Sequence, residues 1–376
     1  MTTKKKNILF LSSWFPSKKN NFDGDFVERH AKSVALLHNV IVVYVSNLDG
    51  ISDVFREEEE KDNLKIIRVY FPNKSRLQNQ YQKFNLYIKE INRLSKIDLI
   101  HVNVTFPVGF VALYFKLIKK IPYVITEHWT GYLPQDPAHI SFNKLYVTKQ
   151  IVKNASFLLP VSESLGNAMK VLGLNCKTKI IRNVIDFELF NIQDLRVDKV
   201  VKFLHISNLV YQKNIEGIIR VSDKLWRNGY DFELHIGGNG DLTFLENYRK
   251  TTEFADKLFL FDSLTQNEVA GKMNQSNAFV LFSRFENQPC VQIESFACGL
   301  PVIASDVGGI NEVFPEGFGK IIESENEEQL YITMKDFIEK KMQLKSPSEI
   351  NEYAKKHFSM KKIAEQFDEI YTEVLK

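Results

Sequence analysis

Seven residues separate two glutamates, Glu286 and Glu294, in the stretch Ser283-Arg284-Phe285-Glu286-Asn287-Gln288-Pro289-Cys290-Val291-Gln292-Ile293-Glu294. An apolar run, Ala278 to Phe282, precedes them and reads as a buried strand. Pro289 suits the first turn of a helix, where a missing N–H costs nothing. Gly299 is placed to end that helix, and Pro301 lies beyond the stop. Glu286 therefore falls on a loop at the carboxyl end of a strand, and Glu294 about two turns into the next helix. In an open parallel sheet, ligands bind at that edge. The helix start at Pro289, Cys290 and Val291 offers backbone N–H groups to an anion such as a diphosphate. A bare pair of glutamates at this spacing is most simply a solvated helix face, so the flanking residues carry the functional reading.

Other positions carry chemistry of the same kind. Ser207-Asn208-Leu209-Val210-Tyr211-Gln212-Lys213-Asn214 follows a strand pattern and opens a helix. A lysine there, Lys213, can oppose the charge that grows on a leaving diphosphate. A surface lysine at a helix start is the plainer reading, although the helix dipole disfavours it. His128 ends a strand pattern in Thr126-Glu127-His128-Trp129, beside Glu127, which can orient an acceptor or the histidine, or simply be solvated. Gly24 lies between the first strand and the first helix, in Asp23-Gly24-Asp25. Helix capping by Asp23 or Asp25 explains those acids better than a metal site. Gly238, in His235-Ile236-Gly237-Gly238-Asn239-Gly240, gives a turn with close backbone approach to a nucleotide. Thr243 occupies the third glycine position of the dinucleotide fingerprint, which disfavours a nicotinamide enzyme.

Taken together, these residues resemble the retaining glycosyltransferases of family 4, which carry a Glu-x7-Glu motif on two Rossmann-like domains. Glu286 and Glu294 fit the two motif glutamates. Cys298-Gly299-Leu300-Pro301-Val302 fits the segment after them, and Gly308-Gly309 with Glu312 fits a Gly-Gly-x-x-Glu. The resemblance implies an α/β protein of the GT-B type, two doubly wound domains facing across a cleft. It implies Glu286 beside the donor sugar, Glu294 on the ribose, and Pro289, Cys290 and Val291 at the phosphate. Lys213 matches a phosphate-binding lysine, while Asn208 stands where the family has an arginine. His128 matches a position near the reacting sugar, and Gly24 a glycine that lets the backbone approach the donor phosphate or the acceptor. The implied reaction moves a sugar from a UDP- or GDP-sugar to an acceptor hydroxyl with retention, in surface polysaccharide or glycan assembly. The acceptor is a saccharide or a lipid-linked saccharide, and no cofactor or metal is expected. Loss of the arginine at Asn208 keeps open a non-catalytic glycan-binding protein on the same fold, and a sugar-nucleotide epimerase is a further alternative.

The elements that must position these residues follow from periodicity. Strand and helix patterns alternate throughout, as α/β architecture requires. The first series has strands at Ile8–Leu11, Val40–Val45, Leu64–Tyr70, Leu99–Asn103, Tyr123–Thr126, Phe157–Pro160 and Lys179–Ile181. The second has Val201–Ser207, Phe232–Ile236, Leu258–Phe261, Ala278–Phe282, Pro301–Ala304 and Lys320–Ile322. The polar segment Asn191–Lys199 is the expected linker, giving domains at 1–190 and 191–358. A final helix at 359–376 has Ile363, Phe367, Ile370 and Val374 at helical spacing. The family resemblance sends that helix back to the first domain.

The 376 residues suit two domains, and a net charge of +3 carries no nucleic-acid signature. Three cysteines cannot form a disulfide framework and fit a reducing, cytoplasmic setting. The short apolar run after Lys4-Lys5-Lys6 reads as a first strand rather than a signal peptide. Lys74, Arg76, Lys83, Lys89, Arg93 and Lys96 alternate with Tyr81, Phe84, Tyr87 and Ile91. That segment is either a helix with a solvated basic face or a surface for anionic lipid, which would make the protein peripheral on the inner face of a membrane.

Overall fold

The computed structural model describes residues 5–193 and 200–376. Most of the expected linker, residues 194–199, lies outside the described residues. Two compact units divide the chain: residues up to Val184 together with Met360–Lys376, and Ile185–Ser359. The division falls before the polar segment rather than within it.

The first unit contains strands β1 (Asn7–Ser12), β2 (Asn39–Leu48), β3 (Phe55–Lys61), β4 (Leu64–Pro72), β5 (Leu99–Asn103), β6 (Tyr123–Glu127) and β7 (Phe157–Pro160). Its helices are α1 (Asp25–Ala35), α2 (Arg76–Asn92), α3 (Gly109–Lys119), α4 (Phe142–Asn154) and α5 (Glu163–Val171). The second unit contains β8 (Val201–Asn208), β9 (Phe232–Asn239), β10 (Leu258–Phe261), β11 (Ala278–Leu281), β12 (Val302–Ser305) and β13 (Gly319–Ile322). Its helices are α6 (Ile215–Arg227), α7 (Thr243–Arg249), α8 (Gln266–Asn274), α9 (Cys290–Ala297), α10 (Glu327–Ile338) and α11 (Pro347–Phe358). A last helix, α12 (Met360–Val374), belongs to the first unit.

The second sheet runs β10-β9-β8-β11-β12-β13, all parallel. The first runs β3-β4-β2-β1-β5-β6-β7, parallel except for β3. With β3 set aside, each sheet has the doubly wound order, and the order reverses between β1 and β5 and between β8 and β11. The central strands are buried on both faces, which is why they read as continuous Val, Ile and Leu runs.

Two strand expectations need correction. β3 is an antiparallel edge strand built from the acidic run Glu57–Glu60, which the apolar patterning does not mark. Its acids pair with the next strand, Glu58 with Lys65 and Glu59 with Arg68, and such charge keeps an edge from recruiting another strand. Lys179–Ile181 is not a strand. It runs beside β7 through separate bonds, Lys179 N–H to the Leu158 carbonyl and Ile181 N–H to the Pro160 carbonyl, both 3.2 Å. β7 is four residues long and offers no longer ladder.

α12 buries Ile363, Phe367, Ile370 and Tyr371 in the core that β1, β2 and α1 share. The Tyr371 hydroxyl lies 2.6 Å from Nδ1 of His101, whose Nε2 is 2.7 Å from the Thr126 hydroxyl. Ser33 donates its hydroxyl proton to the Met360 carbonyl, which anchors the start of the helix on α1.

Candidate active site

In the second unit the switch point lies between β8 and β11, and the loops after those strands carry Lys213 and Glu286. The structure brings the two together: Lys213 Nζ is 2.5 Å from Glu286 Oε1. Glu286 is buried, and two further donors hold its carboxylate. The Ser283 hydroxyl donates at 2.8 Å, and Gln212 Nε2 donates at 3.3 Å while also reaching the Phe285 carbonyl. A buried carboxylate needs such partners to remain charged. Ser283 and Gln212 were missed in the sequence because nothing in their spacing announces the contact.

The two loops are stitched to each other. Arg284 N–H donates to the Gln212 carbonyl at 2.8 Å. The Arg284 guanidinium lies over the Tyr211 ring at 4.1 Å and donates to Asn214 and Glu216 at 2.9 and 2.7 Å. A further bond to Glu325 occupies the same side chain, so Arg284 is not a substitute for the arginine missing at Asn208. Asn208 itself is exposed at the end of β8. Asn214 adopts φ 49° at the start of α6, a backbone shape that favours glycine but that asparagine tolerates.

Helix α9 begins at Cys290, with Pro289 as its cap residue rather than inside its first turn. Pro289, the cap residue, makes no side-chain bond into the helix, and the helix start at Cys290 and Val291 has the positive end of the helix dipole. Glu294 is buried one turn past Cys290, nearer the helix start than the sequence pattern suggests. Gly299 follows with φ 63° and ends the helix as expected. Gly308 explains the glycine pair after β12. At φ 58° it packs so closely on the Glu286 loop that a Cβ would lie 1.7 Å from the Glu286 carbonyl oxygen. Gly309 N–H then donates to the Asn287 carbonyl at 2.7 Å.

Gly238 is corrected. It lies inside β9, not in a turn after it, and a Cβ there would meet the Ser207 carbonyl oxygen at 1.9 Å. Close approach of β8 to β9 demands this glycine, whatever binds nearby. A cavity of about 570 Å³ in the same unit lies at the amino ends of the strands, beside Val201, Asn277 and Pro301. None of the candidate residues lines it.

In the first unit, His128 follows β6 and is packed against the rings of Phe26 and His30, at 4.3 and 5.4 Å. Burial, with His30 and His101 beside it, holds its pKa well below the ordinary range. His128 is thus a neutral ring that offers hydrogen bonds, not a proton donor of ordinary acidity. Glu127 is not solvated. It accepts from Thr105 N–H and hydroxyl and from the N–H groups of His128 and Trp129 at 2.6–2.9 Å, and so pins the loop that bears His128. Burial raises its pKa against those bonds. Gly24 is the cap residue of α1 at φ 74°, and a Cβ there would lie 2.4 Å from the Trp14 carbonyl. The cap position of α1 is Gly24, which has no side chain, so neither Asp23 nor Asp25 occupies it as expected; Asp25 pairs with Arg29 at 2.6 Å. Among the described residues no group of acids, histidines or cysteines has the arrangement of a metal site.

Comparison with known proteins decides the family. Residues 27–189 match the model of "Glycosyltransferase Family 4", and residues 187–357 match that of "Glycosyl transferases group 1". The chain belongs to glycosyltransferase family 4. An uncharacterised glycosyltransferase of Methanocaldococcus jannaschii is 27% identical over 85% of this chain and 87% of its own. One component of human phosphatidylinositol N-acetylglucosaminyltransferase is 23% identical over 99% of this chain and 77% of its own. Among solved structures, Anabaena HepE in complex with UDP-glucose aligns with a TM-score of 0.73 at 17% identity, over 98% of this chain and 99% of that one. The fold is accordingly GT-B. This family member is a glycosyltransferase that draws on a nucleotide sugar in glycan or polysaccharide assembly, and the glycan-binding and epimerase alternatives are not favoured.

Proposed function

We propose that the enzyme transfers a hexosyl group from a UDP-sugar to a hydroxyl of a lipid-linked saccharide, with retention and without an essential metal. The observation that carries this reading is the pair of half-buried Lys213 and buried Glu286 at a switch point, with the start of helix α9 just after Glu286. A cation, a carboxylate and backbone amides are what a sugar diphosphate requires. Lys213 and the start of α9 stabilise the leaving phosphate as the bond to the anomeric carbon breaks. Glu286 orients the sugar, and Glu294 accepts from the ribose hydroxyls. The leaving phosphate takes the acceptor proton on the same face, so the anomeric configuration is kept. His128 contributes a neutral hydrogen-bonding ring. Uridine is favoured by the UDP-glucose complex of HepE, and a lipid acceptor by the name of the human relative. NMR of the product anomer tests the stereochemistry: an inverted product overturns it. Activity should persist in excess chelator, and abolition with rescue by magnesium or manganese overturns metal independence.

Docking on an anionic membrane is part of the same proposal. No helix among the described residues is long and apolar enough to cross a bilayer. Within the Lys74–Lys96 segment, Tyr87 and Ile91 belong to the core and do not face lipid, while Arg93 is exposed but its charge is paired with buried Glu90. Leu77 and Tyr81 are 80% and 73% exposed, beside exposed Arg76 and Lys89. Leu117 and Ile118 on α3 and Phe142 and Tyr146 on α4 are exposed as well. Binding to anionic vesicles should fall with salt. Replacing Arg76 and Lys89 with Gln should weaken it roughly tenfold to thirtyfold, at about 1 kcal/mol per charge. Equal binding to neutral vesicles overturns the docking proposal.

A further inference from the structure

An apolar cavity of about 300 Å³ opens in the first unit beside α2, α3 and α4. Its walls include Phe84, Phe106, Val108, Phe110 and Val147, and its one cationic wall residue is Lys83. Cavities of this size and lining take small apolar ligands. At roughly 30 Å³ per methylene-sized unit, the volume holds about ten carbons.

Lys83 gives the cavity a polar end. It is half-buried, and its ammonium lies 5.7 Å over the Tyr44 ring. Among the described residues it makes no hydrogen bond or ion pair with a carboxylate. Its charged surroundings are Lys19 and Asp23, both before α1, and burial with Lys19 lowers its pKa to about 8. At neutral pH the amine is still mostly protonated, and an incoming anion would hold it so. The cavity also lies near the carboxyl edge of the sheet: Phe106 and Val108 follow β5, and Val108 N–H reaches the Ser13 hydroxyl just after β1. Ligands of such sheets bind at that edge.

We propose that this cavity holds the aliphatic chain of the acceptor lipid next to its phosphate, with Lys83 binding that phosphate. The proposal rests on the glycosyltransferase reading and names its acceptor as a single-chain lipid phosphate rather than a free saccharide. The chain lies among Phe84, Val108 and Phe110, and the phosphate meets Lys83 on the side of the β1–α1 loop. The linked saccharide then starts at the sheet edge, where Gly24 lies.

Calorimetry with monomeric alkyl phosphates tests it. Decyl phosphate should bind one to one. From butyl to decyl phosphate, affinity should rise roughly fourfold per methylene and level off beyond, as the cavity fills. Inorganic phosphate and decanol should each bind at least tenfold more weakly than decyl phosphate. Lys83→Gln should weaken decyl phosphate at least tenfold, and so should Val147→Trp, which fills the cavity from a half-buried position. UDP binding should be unchanged in both variants, and their thermal midpoints report folding. Wild-type affinity in both variants, or equal binding of inorganic phosphate or of decanol, overturns the proposal. Loss of UDP binding by the wild-type protein would overturn the donor reading instead and leave the lipid result to stand.

Discussion

Lys213 and Glu286 meet in one contact, so on the proposed roles the loss of Lys213 and the loss of a neighbour that only positions Glu286 should differ in size. Lys213→Ala removes the cation at the leaving group and leaves Glu286 buried with only Ser283 and Gln212. The turnover number should fall about 10²–10³-fold, the range for losing one preorganised donor. Ser283→Ala removes one positioning bond, and its loss should be much smaller, with UDP affinity intact; steady-state kinetics and calorimetry separate the two. Glu294→Ala should weaken UDP binding by about 1.5–3 kcal/mol, roughly ten- to hundredfold, because ribose hydroxyls lose a charged acceptor. Unchanged affinity would remove the ribose assignment. Residue type and spacing singled out Glu286, Glu294 and Lys213, and the structure places the first and last in contact and buries Glu294. Gln212 was not legible, because it reaches Glu286 from a loop far away in sequence; Ser283, three residues before Glu286, was not because its residue type does not announce the bond; and Gly308 was marked by the motif but not by its packing on the Glu286 loop.

At the level of elements, strands were legible where both faces are buried, since an unbroken apolar run has one reading. β3 was invisible because its sequence is chosen to be avoided by other strands: charge at an edge hides the very pattern that marks an interior strand. Pro289 and Gly299 bracketed α9 because helix ends depend on local chemistry, yet the loop that α9 follows depends on Gly308 from beyond the next strand. That dependence is testable. Gly308→Ala puts a Cβ 1.7 Å from the Glu286 carbonyl oxygen at a positive φ. The loop must move, so sugar transfer should fall sharply while the unit remains folded; a crystal structure of the variant should show Glu286 displaced. Wild-type turnover would mean that the loop's position does not matter.

Across the molecule, each unit carries a buried histidine with the same bias. His30 in the first and His205 in the second are held neutral by burial, with pKa values of about 4. In the unfolded chain each titrates near 6.5. As pH falls, the unfolded chain takes up protons first, so stability is full above about pH 6.5, drains away down to about pH 4, and then levels off. From pH 7 to pH 5 the loss should be about 2 kcal/mol per histidine, read as a fall in urea midpoint. His30→Gln should reduce that slope for the first unit but not abolish it, because buried His101 and His128 are shifted the same way. A midpoint independent of pH over this range would contradict the burial of both rings. The same first unit depends on α12, whose Ile363, Phe367, Ile370 and Tyr371 complete its core. Phe367→Ala should cost about 3–5 kcal/mol by the usual scale of emptied aromatic sites. The order of synthesis adds a consequence. A ribosome must make all of Ile185–Ser359 before it makes α12. The first unit therefore emerges with the α1 side of its core uncovered and waits for a helix encoded after its neighbour, so a nascent chain stalled anywhere before Met360 should be a target for chaperones and proteases even though its own sheet is already complete.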